Sequence, residues 1–322
     1  MTANNKIKIL AVVGSTASGK TALSIALAKK LGGEIISCDS MQVYRRMDVG
    51  TAKPTVEEMD GVVHHLLDFI EPDEPFSCAE YVTLAKEKAE EIHARGRFPI
   101  LCGGTGLYLD SFLRGGGFEE TETDPALRES LFAFAAEHGN HALHERLRAV
   151  DPESADAIHE NNVKRVVRAL EIFESTGVTK TETDRRSRTI ESPYDACVIG
   201  LRYGSRELLY QRIDKRVDLM LEAGLLEETE RLMEEGVFER NSTAAQAIGY
   251  KELLGYLRGE QSLDEAVESL KRATRRYAKR QITWFGAKDY VHWIDADRNG
   301  SMRPFEEILH DALNTASTIS GI

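Results

Sequence analysis

The sequence predicts an α/β fold: a parallel sheet flanked by helices, interrupted by a helical insertion. Three observations predict it. Short apolar runs end in glycine or polar residues and alternate with helical periodicity over the first hundred residues. One of these runs leads directly into GSTASGKT at 14–21. Beyond about residue 120 the alternation stops, and only helical patterns follow until an apolar run returns at Tyr194.

The first run is Ile7–Val13, followed by the glycine-rich loop and by TALSIALAKKLGG, which reads as a helix stopped at Gly32 or Gly33. Glu34–Cys38 and Phe98–Cys102 read as the next strands, with a helix over 79–95 between them. In a sheet assembled from such units, ligands bind beyond the carboxyl ends of the strands. Gly14–Thr21, Asp39–Ser40 and Gly103–Thr105 are therefore expected to meet in one crevice. The stretch 115–124 reads as a boundary, and D-P at 124–125 and 151–152 as helix starts. The expected division is a core of 1–120 and 191–322 and a helical insertion of 121–190. Within the insertion, 184–193 reads as an arginine-rich loop. Tyr194–Leu201 and Tyr290–Ile294 read as further strands, with helices over 205–256 and from Leu263 to about Ala287.

Composition bounds the function. The chain has 322 residues, a net charge of −12 and 42% hydrophobic content. That suits a globular protein and argues against non-specific attraction to polyanions. Cys38, Cys78, Cys102 and Cys197 lack metal-site spacing and read as buried thiols. No apolar run reaches the ~20 residues of a membrane span. The expected setting is cytoplasmic, with no membrane partner.

The loop meets G-x-x-x-x-G-K-[ST] at Gly14, Gly19, Lys20 and Thr21, with Ser15, Thr16, Ala17 and Ser18 between. Glycines let backbone N–H groups face an anion, and Lys20 neutralises phosphate oxygens. The Thr21 hydroxyl can ligate magnesium. The motif indicates a polyphosphate and a P-loop NTPase-like core, without naming the molecule. Asp39 reads equally as a general base or magnesium partner and as a turn cap. Thr105 reads equally as a ligand contact and as a helix cap. His64 and His65 read as structural, and Trp284, Phe285 and Trp293 as core.

Bases are concentrated against the acidic average. Lys271, Arg272, Arg275, Arg276, Lys279 and Arg280 lie in KRATRRYAKR, spaced to share one broad helix face. Lys164, Arg165 and Arg168, then Arg185, Arg186 and Arg188, form a second set in the insertion. Two such sets suit a folded RNA held by its backbone with one base presented inside.

Taken in order, GSTASGKT, ISCDSMQVYRRMDVGTAKPT, HHLLD, GGTGLYLDSFL, RALEIFESTG, AIGYKEL and KRQITWF resemble the bacterial tRNA dimethylallyltransferase (isopentenyl-diphosphate:tRNA transferase) family. The resemblance spans about residues 7–294. It implies a transferase that moves a dimethylallyl group from dimethylallyl diphosphate to the exocyclic amine of adenosine 37, beside the anticodon, in tRNAs reading codons that begin with U. It implies Mg2+ and a monomer binding the anticodon stem-loop. Asp39 then matches the general base and Thr105 a contact to the target nucleotide. Asp39, Ser40, Met41 and Gln42 match the segment reading the flipped base. Arg128, Lys164, Arg165, Val166, Val167, Arg168 and Gln246, Ala247, Ile248, Gly249, Tyr250 and Lys251 match tRNA-contacting positions. Arg275, Arg276 and Arg280 would join them from the basic stretch, and Arg216 in RIDKRVD resembles the arginine reaching the diphosphate. Ser15 departs from the family, where proline is usual. A P-loop kinase of small molecules or nucleotides, or a transferase acting on free AMP, is the competing reading.

Overall fold

The computed structural model describes residues 6–115, 124–189 and 191–318. They form two compact units, Met1–Leu113 with Pro193–Ile322, and Arg114–Ser192.

The first unit is built on six parallel strands in the order β3-β2-β4-β1-β5-β6. The strands are β1 Ile7–Gly14, β2 Gly33–Ser37, β3 His64–His65, β4 Phe98–Gly103, β5 Tyr194–Arg202 and β6 Val291–Asp295. A parallel sheet is covered on both faces, so both side-chain sets of a central strand are apolar. In β1, Ile9, Ala11 and Val13 pack on one side with Ala85, Ala89 and Ile92. Leu10 and Val12 pack on the other with Leu23 and Leu27. The covering helices include α1 Lys20–Leu31, α2 Cys78–Ala94 and α3 Gly106–Leu113. β1 lies between β4 and β5, while its own chain continues to β2 on the far side of β4. The crevice beyond the ends of β1 and β4 is the switch point of this P-loop NTPase-like sheet.

The second unit contains α4 Pro125–His138, α5 Asn140–Val150, α6 Pro152–Ala157, α7 Val163–Thr176 and α8 Lys180–Thr189. Asp124 and Asp151 cap α4 and α6 ahead of their prolines. Leu131, Leu143, Leu147, Val166, Val167 and Leu170 form its core. The expected arginine-rich loop at 184–193 is corrected: α8 runs through to Thr189. It has no apolar stripe to announce it. Lys180–Asp184 and Glu182–Arg186 ion pairs span its turns instead. The side chain of Arg188, and 116–123 of the glycine-acid boundary, lie outside the described residues.

The chain continues through α9 Arg206–Glu222, α10 Leu225–Glu234, α11 Tyr250–Leu257 and α12 Leu263–Gly286. A two-stranded hairpin, β7 Asp297–Arg298 and β8 Ser301–Met302, and α13 Phe305–Ala316 close it. Edge strand β3, the hairpin and α13 had no counterpart in the sequence reading. β3 has two residues, too few for periodicity to register. Glu228 on α10 is a buried tether for the loop after β2. Its carboxylate accepts from the N–H groups of Asp48, Val49 and Gly50 at 2.9–3.0 Å and from the Tyr250 hydroxyl at 2.7 Å.

Glu171 on α7 is fully buried and receives Arg128 at 2.9 Å and Arg168 at 2.8 Å. Burial pushes its carboxyl up, but the two guanidinium groups win and hold it below the ordinary value. A depressed carboxylate contributes fully above its unfolded pKa of 4.5 and loses that contribution as pH falls through the lower folded value. Glu171→Gln is expected to cost the helical unit about 2 kcal/mol at neutral pH, since both arginines keep some water contact. Amide exchange in α7 measures it, and the variant should lose the opening that the parent shows as pH falls below 4.5.

Candidate active site

The phosphate loop follows β1 and turns by backbone geometry that its sequence permits. Gly19 and Ala17 are left-handed, with φ of 95° and 60°. Gly19 begins α1 without a side-chain cap, and no acid lies in the first turn. The helix therefore presents an uncapped positive end to the crevice. The Ser18 hydroxyl is buried with no partner among the described residues, as befits a loop completed by an anion.

Helices α9 and α12 brace the loop from outside. Arg212 Nε donates to the Ala17 carbonyl at 3.0 Å, and the Tyr203 hydroxyl donates to the Ser18 carbonyl at 3.3 Å. Gln281 accepts from Thr16 N–H at 2.8 Å and donates to the Gly104 carbonyl at 3.0 Å. Sequence reasoning assigned no role to Arg212 or Gln281. Their signals were the four-residue spacing of Arg212 and Arg216, and the KRQ of KRQITWF.

Lys20 lies in this cradle with its ammonium 3.4 Å from the Ser15 carbonyl. Burial lowers its pKa first, and the Arg216 charge lowers it further; Asp39 opposes both. Arg216 is itself pushed down by burial and supported by Asp39. Asp39 thus faces both cations in a poorly solvated place, with Glu58 nearer Arg216 and Arg212 adding to the positive side. That surplus is what a diphosphate would neutralise.

Asp39 and Thr105 leave the ends of β2 and β4 together. Thr105 N–H donates to the Cys38 carbonyl at 3.2 Å, and Thr105 Oγ1 accepts from Ser40 N–H at 3.0 Å. Gly103 permits this approach, since a Cβ there would lie 2.0 Å from the Cys38 carbonyl oxygen. The turn-cap reading of Asp39 is also met, since Asp39 Oδ1 accepts from Met41 N–H at 2.9 Å. Thr105 gives α3 its carbonyl, which accepts from the Tyr108 and Leu109 N–H groups, while its hydroxyl is engaged with Ser40. Tyr277 of α12 stands beside them. Burial and the nearby Asp39 charge raise its phenol, so it is a neutral hydroxyl next to Thr105. Gln42, matched to base reading, spends its amide on the carbonyls of Thr51 and Ala52 at 3.2 and 3.1 Å.

Other assignments need correction. Of the six bases of α12, Lys271 pairs with Asp218 at 2.7 Å and Arg275 with Asp214 at 3.0 Å. Arg272, Arg276, Lys279 and Arg280 are the exposed ones. The shared face is therefore narrower than spacing suggested, and Arg275 sits in an intramolecular pair. Val166 and Val167 are buried in the helical core, leaving Lys164 and Arg165 as the exposed positions of that segment. Ala247, Gly249 and Tyr250 are buried, while Gln246 and Lys251 are exposed. Trp284 is 37% exposed rather than core, while Phe285 is buried. His65 is held by Glu34 at 2.7 Å and His64 by the Val62 carbonyl at 2.9 Å, which suits their structural reading. Burial raises the Cys38 and Cys102 thiols beside the crevice, so neither offers a thiolate.

Lys20 is a burden on the fold itself. Its folded pKa lies below 10.5, so stability rises as pH climbs from the lowered value toward 10.5. Lys20→Met should raise stability at neutral pH by about 1 kcal/mol. The same variant should lose calorimetric binding of inorganic diphosphate.

Comparison with known proteins places this geometry. The IPP transferase family model matches residues 42–288. A tRNA dimethylallyltransferase of Geobacillus thermodenitrificans is 53% identical over 288 residues, covering 89% of this chain and 90% of the relative. One from Bacillus pumilus is 51% identical over 290 residues, 90% of each. The solved structure of a full-length tRNA isopentenylpyrophosphate transferase from Bacillus halodurans is 46% identical, covers 97% of this chain and 98% of its own, and superposes with a TM-score of 0.71. A eukaryotic dimethylallyltransferase acting on tRNA is 33% identical, covers 89% of this chain and 73% of its own, and gives 0.76. The chain belongs to the IPP transferase family.

Proposed function

We propose that this chain transfers a dimethylallyl group from dimethylallyl diphosphate to the exocyclic amine of adenosine 37 of tRNAs that read codons beginning with U. The observation that carries the reading is the opposition, in one crevice, of the half-buried cations Lys20 and Arg216 to the Asp39 carboxylate, with Thr105 beside it. A phosphate loop alone would serve a kinase equally well. The added requirement for an RNA acceptor is supported by α12, which lends Tyr277 and Gln281 to the crevice and carries Arg272, Arg276, Lys279 and Arg280 on its exposed side.

The adenine amine is a weak nucleophile because its lone pair is delocalised into the ring. It attacks C1 of the dimethylallyl group as the C1–O bond breaks, and the bonding electrons leave with diphosphate. Lys20, Arg216 and the amino end of α1 stabilise that departing charge. The amine proton passes to the Asp39 carboxylate. The base must leave its stack to reach this position. α12 holds the anticodon stem-loop through its phosphates, and Lys164 and Arg165 are the exposed bases that the helical unit itself offers to RNA phosphate.

Mg2+ fits the donor set. No cluster of three or more His, Cys, Asp or Glu at metal spacing occurs among the described residues. An ion that prefers oxygen and shares its shell with substrate phosphates and water needs none. The Thr21 hydroxyl would hold it beside the substrate phosphates, and when bound it would add charge neutralisation at the diphosphate. The protein acts as a cytoplasmic monomer in this reading, and no helix of the described residues is long and apolar enough to cross a membrane.

Mass spectrometry of tRNA incubated with the protein, magnesium and dimethylallyl diphosphate should show one five-carbon unit on adenosine 37. ATP in place of the donor should give no modified RNA and no phosphorylated product; the opposite result would favour a kinase. Asp39→Ala should keep tRNA affinity and slow turnover by about 10²-fold or more. Exchanging Arg276 and Arg280 for glutamate should weaken stem-loop binding. Its salt dependence should flatten by about one unit of slope for each phosphate that no longer has an arginine partner.

A further inference from the structure

We infer that Gln281 is a positioning residue that sets the spacing between the diphosphate cradle and the Thr105 loop. The inference rests on the transferase reading above and adds to it a determinant of donor–acceptor geometry.

The β1–β4 register ends with Val13 opposite Gly103. Beyond that pair the two chains diverge into the two halves of the crevice. One becomes the phosphate loop, the other Gly104 and Thr105. Gln281 stands between them with its side chain 5% exposed. Its carboxamide oxygen accepts from Thr16 N–H at 2.8 Å, and its amide nitrogen donates to the Gly104 carbonyl at 3.0 Å. A carboxamide has the same flat donor–acceptor layout as a peptide group. Gln281 thus stands in for one more rung of the ladder, lent by a helix distant in sequence. Gly104 makes room for it, since a Cβ there would lie 2.1 Å from the Gln281 amide nitrogen.

The rung joins two loops with separate tasks. Thr16 belongs to the segment gripping the diphosphate that departs. Gly104 precedes the threonine beside the accepting base. Their separation fixes how far the breaking and forming bonds lie from the groups that stabilise them, and an error of about 1 Å in such spacing can cost 10²-fold in rate. Neighbouring residues of α12 keep the glutamine in place. Trp284, one turn on, packs against Gly106, where a Cβ would lie 2.2 Å from the indole. Lys288, just past the end of α12, reaches Asp110 at 2.6 Å.

The test compares Gln281→Met, which keeps the bulk and loses both bonds, with Gln281→Glu, which can still accept from Thr16 but cannot donate to Gly104. With tRNA and dimethylallyl diphosphate, both variants are expected to lose about 10- to 100-fold in kcat. The KM for tRNA and the stem-loop Kd should stay within about twofold of the parent. Amide exchange at Thr16 should accelerate in the methionine variant and stay slow in the glutamate variant. A kcat within about twofold of the parent in both variants would overturn the inference. So would a loss of RNA affinity equal to the loss in kcat/KM, which would make Gln281 an ordinary RNA contact. Unchanged exchange at Thr16 in the methionine variant would overturn it as well. A parent protein that prenylates no tRNA would defeat the transferase reading instead, and the exchange measurement would still decide the rung. Should the methionine variant fail to fold, the glutamate variant carries the kinetic comparison: parent-like kcat there counts against the inference.

Discussion

Two cations are held half-buried beyond the end of a parallel sheet, and much of the structure exists to hold them there. Lys20 and Arg216 repel each other, and burial disfavours the charge on each. Asp39 opposes both, and Glu58 adds to the support of Arg216. A protein tolerates such a place when the surrounding framework is rigid and a ligand supplies the missing charge. The framework here is made of backbone: the left-handed turns of the phosphate loop, the N–H groups at the start of α1, and the pairing of β1 with β4. Side chains from α9, from Tyr203 just ahead of it and from α12 lock the loop by two carbonyls and one amide. They leave the anion-facing side open.

The core was legible because its determinants are local. The phosphate loop must be glycine-rich at defined steps, and a central parallel strand must be apolar on both faces. Ile7–Gly14, Phe98–Gly103 and Tyr194–Arg202 followed from those two rules almost to the residue. What escaped lacks a local signature. Helix α8 is held by ion pairs rather than by a stripe, so its composition resembled a loop. Strand β3 exists because β2 offers it an edge.

The site divides along the same line. Asp39 and Thr105 stand just past strand ends and Lys20 opens the helix after the phosphate loop, where position alone predicts convergence. Arg275 and Arg128 carry the right charge, yet their partners, Asp214 and Glu171, lie 61 and 43 residues away. No reading of the neighbouring sequence reveals that these charges are engaged. The valines between the bases of α7 follow the opposite logic. They share a charged string and serve a core, because a helix turns them inward.

Glycine governs how this crevice can change. At Gly103 and Gly104 the space a side chain would occupy already belongs to Cys38 and Gln281, and at Gly14 to Ser18 and Leu201. The floor therefore offers almost no room for variation, and what it presents to a ligand is peptide, the same in any relative that keeps the glycines. Discrimination among donors or acceptors has to arise on the walls, from α9, α12 and the loop after β2. Divergence of specificity in such a scaffold would leave the phosphate grip untouched while the helices around it are rewritten.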